Sequence, residues 1–172
     1  MKNNPYKLFQ SPNVTNNHST LMEICNNANS IIPPDENYNT FSLTSSSWVM
    51  FKIYKELSYY IRSYIGDLDK PLWIQSWLTY HTKGKVTLKT QKFPNMEYYG
   101  NICINPQNTY VLFNKKTKLQ NKIGQIFLTE VNNSQLKLQP DQSYKNSYIA
   151  IEFNITSNAD RFLGNDNFYP LI

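Results

Sequence analysis

Histidine is scarce in this 172-residue chain: only His18 and His81 are present, beside two cysteines and five glycines. So few glycines leave no phosphate-cradling loop and no GxSxG turn, and neither HExxH nor a serine with a usable histidine base occurs. Cys25 and Cys103 lack CxxC spacing. That argues against a zinc site or a disulfide framework and fits a reducing compartment. Cys103 lies in an apolar strand and reads as a small core residue. No stretch approaches the roughly 18 apolar residues a membrane span requires. Met1-Lys2-Asn3-Asn4-Pro5 leads into polar sequence with no apolar signal core. The expectation is a chain that neither spans a membrane nor leaves the cell by a standard leader.

Charge is also sparse. Only 17% of residues are charged, whereas 13 Tyr and 9 Phe supply much of the apolar area. The net charge of +5 invites a nucleic-acid partner, because lysine-rich faces attract phosphates. The lysines, however, stand mostly alone. Only Lys83-Gly84-Lys85 and Lys115-Lys116-Thr117-Lys118 cluster, both in expected turns, so nucleic acid is disfavoured. A low-charge surface rich in Asn and Tyr suits packing into an assembly, although an AT-rich genome produces the same bias.

Three segments emerge along the chain. Residues 1–45 are polar and rich in Asn and Ser. Thr20-Leu21-Met22-Glu23 has capping-box spacing for one short helix, and Pro33-Pro34 breaks regular structure. An arm, a surface wrap and an ordered lead-in all fit this segment. From Ser45-Ser46-Ser47 onward, apolar residues recur at Met50, Ile53, Tyr54, Leu57, Ile61, Tyr64 and Ile65. Lys52, Lys55, Glu56 and Arg62 take the opposite face, and Gly66 follows as a stop. This predicts an amphipathic helix over about 47–65, whose stripe needs a cover.

Beyond Pro71 the period shortens to that of strands. They are predicted over 72–80, 85–90, 99–105, 109–113, 124–129, 135–139 and 147–155, separated by turn residues. Short strands at this spacing indicate an all-β sandwich or barrel. A helix plus β-domain over 46–156 is then followed by a tail, 157–172, with apolar anchors at Phe162, Phe168, Tyr169 and Leu171.

The segments His81-Thr82-Lys83-Gly84, Gly100, Asn105-Pro106, Asn121-Lys122-Ile123-Gly124-Gln125 and Phe153-Asn154-Ile155 together resemble the 2-oxoglutarate/Fe(II) oxygenase-like proteins of tailed phages of marine bacteria. The resemblance spans roughly 72–155. It implies a mainly β fold, a double-stranded β-helix (jelly roll) with the helix at about 47–65 covering it. It also implies a metal site of two histidines and a carboxylate with open positions for cosubstrate and dioxygen.

The chemical positions depart from that pattern. Counted from Gly84, the proximal metal pair falls near Thr90 and Lys92. A hydroxyl is a poor Fe(II) ligand, and an ammonium repels the cation. The distal histidine falls around Asn133, Ser134 and Gln135, and the basic clamp for 2-oxoglutarate falls near Tyr148, which carries no charge. His81 matches a family histidine outside the metal set and reads as structural; His18 reads as a solvated side chain. Glu97, Glu130, Asp141 and Glu152 show no loop spacing suited to Mg²⁺ or Ca²⁺. The reading therefore assigns no catalytic, cofactor-binding or metal residues and no cofactor.

Trp73, Trp77, Tyr98 and Tyr99 are the candidate interface aromatics, against a core role between sheet and helix. Of Tyr98-Tyr99 and Tyr59-Tyr60, one ring each is expected inward. The resulting expectation is a non-catalytic jelly-roll structural or interaction protein, a component of a phage virion (neck, tail or head surface) assembled in the host cytoplasm. Its partners would be other virion proteins or further copies of itself. A binding module for glycan, nucleic acid or a host protein is the alternative, with a divergent oxygenase behind it.

Overall fold

Every strand ladder among the described residues is antiparallel. The computed structural model describes residues 5–31, 47–81, 88–89, 96–131, 136–140, 146–158 and 168–172. In chain order these form β1 (Tyr6–Gln10), α1 (Pro12–Asn16), α2 (His18–Ile31), α3 (Trp48–Ile65), β2 (Trp73–His81) and β3 (Leu88–Lys89). There follow β4 (Tyr98–Asn105), β5 (Thr109–Phe113), β6 (Thr117–Gln120), β7 (Gln125–Glu130), β8 (Leu136–Pro140), β9 (Tyr148–Thr156) and β10 (Tyr169–Pro170). A six-stranded sheet runs β1-β7-β4-β9-β2-β10, and a four-stranded sheet runs β3-β8-β5-β6. The fold is mainly β, a jelly roll with helices on one side, as the sequence predicts.

Strand alternation gives the larger sheet two different faces. Its outer face carries Ile74, Ile102, Ile126, Ile149, Ile151 and Phe153, packed against Leu21 and Cys25 of α2 and Met50, Ile53, Leu57 and Ile61 of α3. Burying four such α3 side chains contributes about 1.5–3 kcal/mol each before entropy is counted. The inner face carries Tyr99, Cys103, Phe127, Tyr148 and Ala150, which meet Val111 and Phe113 of β5. Because both faces are covered, all nine residues of β9 are buried.

The covering helix begins and ends where its sequence says. Ser47 caps it by accepting from the Met50 amide, and Gly66 closes it in the left-handed region with its amide on the Arg62 carbonyl. Glu56 and Arg62 do not face solvent alone, as the amphipathic pattern suggested. Ser11 and Asn13 donate to the Glu56 carboxylate. Arg62 donates to the carbonyls of Leu68, Lys70 and Leu171.

Two local expectations need correction. The second helix starts at His18, so Thr20 and Glu23 lie within it and form no capping box at its start. Instead Ser11 caps α1 with Pro12 in the first turn, and the chain passes through Asn17 directly into α2, where the Leu21 amide reaches the Asn17 carbonyl. Of Lys115-Lys116-Thr117-Lys118 only the first two make the turn; Thr117 and Lys118 already belong to β6. Asn114 and Lys115, both at positive φ, close the hairpin early.

The N-terminal segment, left open between arm, wrap and lead-in, is integrated over residues 5–31. Strand β1 pairs along β7, and its Leu8 stands opposite Phe127. The C-terminal residues return as β10 beside β2, with Leu171 buried. Phe162 lies outside the described residues.

Candidate functional site

One of the degenerate positions, Tyr148, lies on the inner face of the larger sheet. Thr90, Lys92, Asn133, Ser134 and Gln135 all lie outside the described residues. Tyr148 opens β9, is buried, and stands opposite His81 at the end of β2. The chain's other histidine lies elsewhere. His18 begins α2 and donates from Nε2 to the Ile104 carbonyl at 3.1 Å. It thereby belongs to the helical layer over the outer face.

A two-histidine Fe(II) site requires two imidazoles converging on one face. With His18 held in the outer layer and only His81 remaining, this donor set does not fit that site. Nor does the described inner face suit a dicarboxylate. Its side chains from β2, β4, β7 and β9 include the carboxyl of Glu152 and no lysine or arginine.

What the inner face does hold is a set of buried polar side chains. Along β9, Glu152, Asn154 and Thr156 alternate with Ile151, Phe153 and Ile155, which point to the helices. In register, Gln75 of β2, Asn154 of β9 and Tyr99 of β4 form one row. Trp77, Glu152 and Asn101 form the next. Thr79, Trp77 and Tyr99 all hydrogen-bond to the Glu152 carboxyl. Burial pushes that carboxyl above its ordinary value, and the three hydrogen bonds pull it part of the way back. Burial, with Glu152 alongside, raises the Tyr99 hydroxyl well above its usual range.

Two polar atoms in these rows have no hydrogen-bond partner among the described residues: Gln75 Oε1 and Asn154 Nδ2. Gln75 is 8% exposed and Asn154 1%. Neither Gln75 nor Asn154 stands out in the sequence as a candidate site residue. Their signal was present: Glu152, Asn154 and Thr156 alternate with Phe153 and Ile155 along β9, and Gln75 and Thr79 share the same face of its neighbour β2.

The candidate interface aromatics separate. Tyr99 is buried on the inner face, so it offers no surface. Tyr98 turns outward and meets Tyr64 of α3 edge-on, with ring centres 6.1 Å apart. Trp73 and Trp77 are half-buried and share the inner face with Gln75. Tyr59 is exposed while Tyr60 stacks on Phe9, so each tyrosine pair has one ring turned inward.

At the mouth of β4, Glu97 accepts from the Ser157 amide and hydroxyl and pairs with Lys70 at 3.1 Å. Burial alone would raise this carboxyl, but Ser157 and Lys70 together carry it below its ordinary value. These contacts tie the start of one central strand to the end of the other.

Solved structures share this architecture. A viral collagen prolyl hydroxylase from Paramecium Bursaria Chlorella virus-1 superposes with a TM-score of 0.65 at 13% identity, covering 88% of this chain and 90% of that one. A prolyl-4-hydroxylase from Pseudomonas putida gives 0.63 at 7% identity, over 90% and 89%. A non-heme alpha-ketoglutarate-dependent carbocyclase from nogalamycin biosynthesis gives 0.66 at 5% identity, over 98% and 92%. At these identities the likeness is one of fold. No family model and no curated protein sequence matches the chain.

Proposed function

We propose that this chain is a non-catalytic jelly-roll protein, a phage virion component at the neck, tail or head surface, in which an oxygenase scaffold serves as a rigid body for protein contacts. The observation that carries the loss of oxygenase chemistry is the place of His18. Its imidazole is spent on the Ile104 carbonyl in the helical layer, and the chain has one other histidine. The structural neighbours are enzymes, and this chain keeps their frame rather than a two-histidine donor set.

The surface supports a role in contacts. Ile31, Trp48, Tyr59 and Leu68 expose large apolar side chains. Trp48 extends over Phe51, with Lys52 above its ring. Low overall charge lowers the cost of desolvating such a surface on assembly.

Quantitative mass spectrometry of purified particles of the encoding phage tests the placement. A fixed copy number per particle is expected. Recovery of the chain from infected lysate but not from particles would overturn it.

A further inference from the structure

The smaller sheet gathers lysines that stand alone in the sequence. On β5, Val111 and Phe113 enter the inner core, so Leu112 between them marks the opposite face, turned away from the larger sheet. In register, Leu112 stands opposite Lys118 of β6 on one side and Lys137 of β8 on the other. Lys137 in turn stands opposite Lys89 of β3. The four strands contain three lysines, and all three fall in this one row; no acidic residue occurs among the described residues of the strands. With about 4.7–4.9 Å between strands, the row spans roughly 14 Å. Lys115 and Lys116, both exposed, continue the positive charge at the β5–β6 turn. Like charges directly opposite one another are destabilising, so the Lys89–Lys137 register does not hold the sheet together.

We propose that this face binds single-stranded nucleic acid through its phosphates, without preference for base sequence. A row of cations free of carboxylates complements a chain that repeats its negative charge at every nucleotide. A face roughly 14 Å across is wider than the major groove of a duplex, about 12 Å, whereas an open sheet can take unpaired strands. Tyr110 lies two residues before Leu112 on the same face, half-buried, with Lys118 Nζ 4.1 Å from its ring centre. A ring beside a cation is the combination on which single strands stack. Its partners in register, Gln120 and Gln139, are neutral and repel no phosphate. A run of acidic residues in a protein would match the charge but offer no base to the ring. The surface does not depend on the virion placement, because it lies away from both the helices and the inner face.

Fluorescence anisotropy of a labelled oligothymidylate of about twenty nucleotides, titrated with the full chain, tests this surface. Saturable binding is expected, with log K falling against log salt at a slope of about −2 for the row alone, or about −3.5 with the turn lysines, at roughly 0.7 per phosphate neutralised. Lys118→Gln and Lys137→Gln should each make the slope shallower by about 0.7 and weaken binding several-fold at about 50 mM salt. Tyr110→Leu should weaken binding roughly tenfold with the slope unchanged, the loss of one stacked base. Lys55→Gln, exposed on α3 and off this face, should leave both as they are. Lys137→Gln should also unfold at the same urea concentration as the wild type or a higher one, since it relieves a like-charge pair. Absence of binding at low salt overturns the proposal. So does an equal loss in Lys55→Gln, which would mean diffuse net charge, and so does polyglutamate of equal charge binding as tightly as the oligonucleotide.

Discussion

Glu152 is the residue whose titration should be visible in the stability of the whole fold. Its carboxyl is raised by burial, so the folded chain holds that proton more tightly than the unfolded chain does. The associated stability is fully present below the unfolded value, about 4.3. It is lost as pH rises from there through the folded value. Glu152→Gln abolishes the titration while keeping an acceptor for Thr79, Tyr99 and Trp77. Urea midpoints from pH 4 to 8 should therefore show the variant gaining on the wild type as pH rises, then levelling off. A gap that does not change with pH would mean that Glu152 is solvated. Gly100 makes a steric prediction at the same scale. An added Cβ would stand 2.5 Å from the Phe127 carbonyl oxygen and 2.6 Å from Phe153 Cε2. Gly100→Ala should cost about 2–3 kcal/mol as the strands or the Phe153 ring give way, measured by urea unfolding; a loss below about 0.5 kcal/mol would show that β4 has room to shift.

Among the elements, α3 and the strands β2, β4, β5, β7, β8 and β9 were legible because their periods are clean and their ends carry the expected caps or turns, whereas β6 reads as part of a turn and β10 as part of a tail. Two of the framework residues, Gly124 and Asn121, are architectural. Gly124 sits at φ +77 where a side chain would strike Gln10 and Ser11, and the Ser11 amide binds its carbonyl. Asn121 donates to Thr109 at 2.8 Å, holding two turns together. Such positions hold turns and strand ends, so they follow the fold. Strand β1 was illegible for a physical reason. Tyr6-Lys7-Leu8-Phe9-Gln10 is an edge strand with an irregular pattern, and its pairing with β7 is set by tertiary contact. Two element-level contacts can be tested. Arg62 clamps the C-terminal strand through the Leu171 carbonyl, so Arg62→Ala should cost about 2 kcal/mol and speed amide exchange at Leu171. Unchanged exchange there would show that Tyr54 and Ser58, which also hold this segment, suffice. Glu97 has the opposite sign to Glu152. Its lowered carboxyl contributes stability above the unfolded value that is lost as pH falls through the folded one. Glu97→Gln should flatten the acid side of the stability curve, modestly, because the Lys70 pair is a third exposed.

For the whole molecule, the proposal is that a jelly roll like that of the 2-oxoglutarate oxygenase neighbours has parted from their metal chemistry. The helices and the larger sheet form a core on the outer face, and the two sheets form a second core inside. Both cores are built of apolar side chains among the described residues. The most direct test is thermal unfolding of the full chain with and without Mn(II) plus 2-oxoglutarate, the metal being a redox-stable stand-in for Fe(II). An intact site at 100 times its dissociation constant would stabilise the fold by about 2.7 kcal/mol, a rise of roughly 5–10 °C for a domain of this size. No shift is expected. A rise that requires metal and cosubstrate together would contradict the proposal.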